Sequence, residues 1–303
     1  MTAEIEGMMS AIERIKEYVE QVPVEEEEDF PDEPSAVQTK GTLQLSSRSS
    51  DDKPVPDDWP SRGEIKVVGA HLRYRDGPLV LKGLDFEVAS GTTVGIAGRT
   101  GSGKSSLLAA LFRITDLEKG TIFIDGIDIS TVKLSTLRFR LGIIPQEPTM
   151  FAATLRFNLD PLGIYSDLQL FDALDAVGLK ESVAAMPGVL EAEIIDGGEN
   201  LSQGQRQLIC FARAILRKPK IIVLDEATAS VDNYSDAMVQ IMIKEKFNAC
   251  TVLTIAHRLN TIKDSDRILV LDAGLVAEFD GPEALLEKEG GLFASMWATF
   301  NQS

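Results

Sequence analysis

Thr92 to Ala97 form a mostly apolar run that passes straight into Gly98-Arg99-Thr100-Gly101-Ser102-Gly103-Lys104-Ser105, with Ser106 next and a helical pattern from Ser105 to Arg113. A short apolar run of this kind predicts a buried strand. The chain must then turn through glycines and start a helix. Gly98, Gly101 and Gly103 leave room for backbone amides to turn toward an anion, and the helix adds its positive N-terminal end. The spacing fits G-x-x-x-x-G-K-[ST], which cradles the phosphates of a nucleoside triphosphate. On that reading Lys104 lies against the outer phosphates as a point charge, and Ser105 offers its hydroxyl to Mg²⁺.

Other short apolar runs end on polar residues in the same manner. Ile221 to Leu224 leads into Asp225-Glu226, and a carboxylate at the end of a buried strand is costly unless it meets a cation. Asp225 is therefore expected to hold Mg²⁺, and Glu226 to orient or deprotonate an attacking water. Leu141 to Pro145 leads into Gln146, whose amide oxygen is expected to reach the metal or that water. Val252 to Ile255 leads to His257, read as a γ-phosphate contact, and Ile268 to Leu271 is a further strand. Tyr74 lies upstream of the glycine loop, where an aromatic ring can stack on a base. Ser202 is expected to cap a helix over Gln203 to Leu216, and Asp167 to Gly178 also has helical periodicity. Ile65 to Val68 and Leu84 to Val88 alternate as antiparallel strands do. Together these patterns predict an α/β fold with an N-terminal antiparallel portion and a helical insertion.

The net charge is −17, and 16 acids against 6 bases fall in residues 1–62. No basic face or stripe is visible, which argues against a nucleic-acid partner. Cys210 and Cys250 lack metal-ligand spacing and suit buried free thiols in a reducing compartment. No apolar run is long enough for a membrane span, and no secretory signal is visible. The 303-residue chain itself is thus expected to be soluble. Residues 1–20 carry Ile5, Met8, Ile12, Ile15 and Val19 at helical steps, predicting an amphipathic helix whose partner is missing. Residues 21–62, acidic and rich in proline, predict a disordered linker in which Ser49 and Ser50 precede Asp51 and Asp52. The globular domain is expected to span 63–303.

Over about residues 60–300 these features resemble the nucleotide-binding domain of ATP-binding-cassette (ABC) transporters. Leu201-Ser202-Gln203-Gly204-Gln205 is similar to the family's signature segment, Ser230-Val231-Asp232 to its D-loop, and Ile255-Ala256-His257-Arg258 to its switch-histidine motif. Tyr74 matches its adenine-stacking position. Leu155 to Pro161 and Asp58 to Gly63 further resemble the second such domain of subfamily C, the multidrug-resistance-associated exporters. Ile12 to Tyr18 is similar to the tail of the membrane helix that precedes it. The resemblance implies a P-loop NTPase core with an N-terminal antiparallel β subdomain and an inserted α-helical subdomain. It also implies ATP and Mg²⁺ as cofactors and hydrolysis that powers export of small molecules or conjugated anions. It implies two kinds of partner. One is a facing nucleotide-binding domain, from a homodimer or the same transporter, whose ATP the Ser202 segment covers. The other is a set of transmembrane domains absent here, which would place the domain at the cytoplasmic face of a membrane. The chain is then a C-terminal piece, or a truncated relative, of a longer transporter. Gln203 departs from the commonest signature, which has glycine there.

Two other classes share the phosphate loop and the capped segment. Only about 95 residues separate Ser105 from Ser202, too few for the coiled coil of the cassettes that act in DNA repair, and the single cassette disfavours the translation class. An ATP-binding regulatory fragment with little turnover shares every binding motif and stays open.

Overall fold

The computed structural model describes residues 55–225, 243–256 and 259–300. Glu226, Ser230, Val231, Asp232 and His257 lie outside the described residues, as do the expected helix at 1–20 and the linker up to residue 54.

Among the described residues, one sheet is antiparallel and holds β1 (Ile65–Arg73), β2 (Leu79–Val88), β4 (Lys119–Ile124) and β5 (Ile127–Asp128) in the order β2-β1-β4-β5. A second, six-stranded sheet has the order β12-β11-β3-β10-β9-β6. Its strands are β3 (Thr93–Ala97), β6 (Leu141–Ile144), β9 (Ile221–Asp225), β10 (Thr251–Ile255), β11 (Arg267–Asp272) and β12 (Leu275–Asp280). Every neighbouring pair is parallel except β11–β12. The apolar runs read from sequence thus become the parallel strands. Their lack of polar alternation has a direct cause. Ile221 and Val223 of β9 join one core, and Ile222 and Leu224 join another on the opposite face. Both faces are covered, so both sets of residues must be apolar.

The first core lies between the two sheets and around α1 (Lys104–Leu111), which contributes Leu107, Leu108 and Leu111. The second supports the helical part: α3 (Leu155–Leu159), α4 (Asp167–Ala176), α5 (Lys180–Ala184) and α6 (Gln203–Arg217). The two-stranded pair β7 (Ala153–Thr154) and β8 (Glu193–Ile194) joins them. The expected inserted helical portion is therefore present. Short α2 (Leu134–Arg140) precedes β6, and α7 (Pro282–Glu287) and α8 (Leu292–Phe300) close the chain. Glu278 of β12, 7% exposed, fixes α8 by accepting from Leu292 N (3.1 Å) and Phe293 N (2.9 Å) while pairing with Lys288 (3.1 Å). No helix among the described residues is long and apolar enough to cross a membrane.

The expected linker differs at its end. Val55 and Trp59 pack on the domain, and Trp59 is 3% exposed with its Nε1 donating to Ile124 O (3.0 Å). Composition concealed this, because one tryptophan among prolines and acids anchors a segment whose average is polar. Asp125, at the β4–β5 turn, completes the clasp by accepting from Arg62 N (2.8 Å), Gly63 N (3.0 Å) and Glu64 N (2.8 Å). Gly63 has φ +85°, and a Cβ there would stand 2.6 Å from Lys220 O, so only glycine fits.

Burial alone would raise the Asp125 pKa, but the amides of Arg62, Glu64 and Gly63 outweigh it and hold the carboxyl below its ordinary 3.8. Its stabilisation is therefore fully present above the unfolded value and is lost as pH falls through the lower, folded one. Asp125→Asn is expected to cost about 1–2 kcal/mol at neutral pH. In urea melts at several pH values, the gap to the parent should shrink below pH ~4, where the Asp125 carboxyl of the unfolded chain begins to take up its proton while the folded one still resists it. A gap that persists unchanged to pH 2 would exclude charge as its source.

Candidate nucleotide site at the carboxyl edge of the sheet

Because β3, β6, β9 and β10 run parallel, their carboxyl ends share one edge, where open α/β sheets hold ligands. Register sets the height of each residue. Ile255 is opposite both Ile96 and Asp225, and Ile144 is opposite Leu224. The glycine loop after β3, Asp225 at the end of β9 and Gln146 beyond β6 therefore open on the same side. At about 4.8 Å per strand, the ends of β3 and β9 stand about 10 Å apart across β10.

The glycine loop has a specific shape. A Cβ at Gly98 would meet Ser102 Oγ at 2.4 Å and Leu271 O at 2.5 Å. The loop thus closes back on itself with no space for a side chain. Gly103 occupies the N-cap of α1 with φ +108°, and Ser102 N donates to Arg99 O (3.0 Å). The Ser102 hydroxyl is buried and has no hydrogen-bond partner. An orphaned polar atom beside a glycine-lined cradle fits an anion with acceptor oxygens better than a purely structural turn. Gly101, Arg99, Thr100 and Ser105 are exposed along the loop.

Lys104 is 7% exposed, and its Nζ donates to Gly98 O (2.7 Å) and Arg99 O (3.3 Å). Burial lowers its pKa, and the nearby Asp225 charge opposes that shift. The lysine is thus a desolvated cation held by carbonyl dipoles, an arrangement that phosphate oxygens would improve. Among the described residues no cluster of three or more His, Cys, Asp or Glu forms a metal cage. Mg²⁺ does not require one, since it is commonly held by one or two carboxylates with waters and substrate phosphates. Asp225 and Ser105 are oxygen ligands of the right kind.

Tyr74, just beyond β1, is 45% exposed, and its hydroxyl donates to Ser106 Oγ (3.2 Å). The ring and a serine of the first turn of α1 are thereby joined by one hydrogen bond. Sequence reading had no means of pairing them.

Ser202 is the N-cap of α6 and forms a full capping box. Its Oγ accepts from Gln205 N (3.1 Å), while Gln205 Oε1 accepts from Ser202 N (2.9 Å). Leu201 is buried beneath, whereas Ser202 and Gln203 are exposed and Gly204 is half-buried. The segment presents the positive end of a 15-residue helix to the surface.

The family model described as "ABC transporter" matches residues 81–229, which include the loop, the capped segment and β9. Residues 81–229 are a domain of the ABC transporter family. ABC transporter C family member 3 of Dictyostelium discoideum is 46% identical over 291 residues, covering 96% of this chain and 19% of that protein. ATP-binding cassette sub-family C member 2 of Rattus norvegicus is 46% identical over 294 residues, 97% of this chain and 18% of that protein. The Homo sapiens sub-family C member 3 is 46% identical over 291 residues, 96% of this chain and 18% of that protein. The cassette therefore spans about a fifth of the length of these relatives. Among solved structures, a bacterial Atm1-family ABC exporter with ATP bound superposes with a TM-score of 0.74 at 36% identity, covering 78% of this chain and 42% of that one.

Proposed function

We propose that this cassette binds Mg·ATP at the glycine loop and hydrolyses it to drive export through transmembrane domains, as a subfamily C nucleotide-binding domain. The observation that carries the reading is the convergence of Lys104, Asp225 and Gln146 on the carboxyl edge of one parallel sheet.

In this proposal Gly98 to Ser106 wrap the phosphates, Lys104 neutralises the outer ones, and the Tyr74 ring stacks on adenine. Ser105, Asp225 and Gln146 hold Mg²⁺, directly or through water. Glu226, next in the chain after the end of β9, accepts the proton of the attacking water, and His257 contacts the γ-phosphate. Mg²⁺ supplies charge neutralisation for an in-line phosphoryl transfer. The exposed Ser202, Gln203 and Gly204 at the start of α6 face the ATP of a second nucleotide-binding domain, with Ser230-Val231-Asp232 as the D-loop of that contact. Nucleotide binding then favours the paired state and hydrolysis releases it. By this reading the domain faces the cytoplasm, residues 1–20 end a membrane helix, and 21–54 connect the two. Transported substrate class, small molecules or conjugated anions, follows from the subfamily likeness alone.

The test is ATP turnover as a function of protein concentration. If two copies complete each other's sites, the specific rate rises with concentration and saturates. A domain that needs a different partner stays slow at every concentration until that partner's signature segment is supplied. A chain that fails to turn over ATP under either condition is the ATP-binding regulatory fragment instead.

A further inference from the structure

The capped helix α6 and the Gln146 segment belong to different parts of the chain, yet polar side chains tie them together beneath the surface. Arg213, near the end of α6, is half-buried. Its Nη1 donates to Thr149 O (2.9 Å), its Nη2 to Asn158 Oδ1 (3.0 Å) and its Nε to Asn158 O. Asn158 of α3 is 1% exposed and holds Phe151 at both backbone groups, accepting from Phe151 N (2.9 Å) and donating to Phe151 O (2.9 Å). Asn158 Nδ2 also reaches Thr154 O (3.0 Å). Nearer the capped end, buried Gln207 makes a long contact from its Nε2 to Pro145 O (3.5 Å), one residue before Gln146.

This arrangement is chemically expensive. Burial lowers the Arg213 pKa, and among the described residues no carboxylate pairs with it. Carbonyl dipoles receive the guanidinium, with longer contacts from Nη1 to Cys210 Sγ (3.8 Å) and from Nη2 to Met150 Sδ (3.8 Å). Packed apolar side chains often stabilise such a place as well as a buried charge does. What the planar fork adds is orientation, because three N–H vectors fix three acceptors at once.

We propose that Arg213 and Asn158 are positioning residues that bind the 149–151 segment to α6, so that Gln146 and the Leu201–Gln205 segment move as one body. Gln146 would then sense the chain's own nucleotide while the start of α6 meets the partner's. The single bridge lets closure at one site set geometry at the other. This deepens the proposed function and rests on the roles given there to Gln146 and the signature segment.

The experiment uses the 303-residue chain and compares wild type, Arg213→Lys and Asn158→Ala. The readouts are amide hydrogen exchange with and without Mg·ATP, ATP affinity, and turnover at saturating ATP. Lysine keeps the charge but has no planar fork. Arg213→Lys is expected to raise exchange at residues 147–151 about tenfold, as loss of a charge-assisted bond implies, while β3 and β9 stay protected. ATP affinity should hold within about twofold and turnover fall about tenfold. Asn158→Ala should give the same pattern, and the double variant no more than the worse single.

Unchanged exchange at 147–151 in both variants overturns the proposal. So does a loss of ATP affinity as large as the loss of turnover, or additive losses in the double variant. If wild type itself binds no ATP, the phosphate-loop reading fails, and the exchange comparison still decides whether the bridge positions this segment.

Discussion

Glu226→Gln is expected to leave ATP binding within a factor of about two and to lower turnover by about 10²–10⁴, the usual contribution of a positioned general base. The substitution keeps size and shape and removes one capacity, that of accepting a proton. On the proposed roles, Asp225 stays in place for the metal and Lys104 for the phosphates. Binding energy should therefore survive while the chemical step is lost. A further consequence separates this from simple inactivation. If ATP joins two domains, blocked hydrolysis should trap the pair, so the variant should elute as a dimer with ATP and as a monomer without it. Equal turnover in the variant would remove Glu226 from the chemistry and move the base role to Gln146 or His257.

Lys104→Ala carries the second large effect, with opposite signs for binding and for the unliganded fold. Truncating one member of a desolvated charge pair costs about 2–5 kcal/mol, or roughly 30- to 5,000-fold in dissociation constant. ATP affinity should fall by that factor. The fold without nucleotide should not suffer. Lys104 is a buried cation whose pKa is pulled down by desolvation more than the Asp225 charge restores it, and its hydrogen bonds go to two carbonyls of its own loop. Removing it relieves an unfavourable burial. The melting temperature without ATP should stay level or rise, while the upward shift produced by Mg·ATP should vanish. A variant that melts lower without ligand would show that the lysine holds the loop together. A variant that keeps its ATP-induced shift would take the phosphates away from Lys104.

What the sequence disclosed about the site follows from the parallel sheet. Asp225 and Gln146 could be singled out because each follows an uninterrupted apolar run, and such runs are strands covered on both faces. Parallel strands bring their carboxyl ends to one edge, so residues 79 positions apart along the chain become neighbours there. The helix start at Ser202 was equally legible, since a serine stands just before the helical pattern, although the reciprocal bond from Ser202 N to Gln205 was not foreseen. Contacts in which the distant partner is backbone were not legible. Arg213 meets the carbonyls of Thr149 and Asn158, Trp59 that of Ile124, and Asp125 three amides near Gly63. A carbonyl has no side-chain identity, so no residue type announces that it is needed. The β4–β5 hairpin was missed as well, since Lys119-Gly120-Thr121 begins it with polar and flexible residues.

The clasp at Val55 to Glu64 has a mechanical consequence. Thr251 Oγ1 at the start of β10 donates to Gly63 O (2.6 Å), so this segment is fastened to the hairpin on one side and to the central sheet on the other. Tension or rotation arriving from upstream is not absorbed by a slack tether at residue 62. Any such pull would be felt at the head of β10, and in sequence the carboxyl end of that same strand runs through Ala256 to His257.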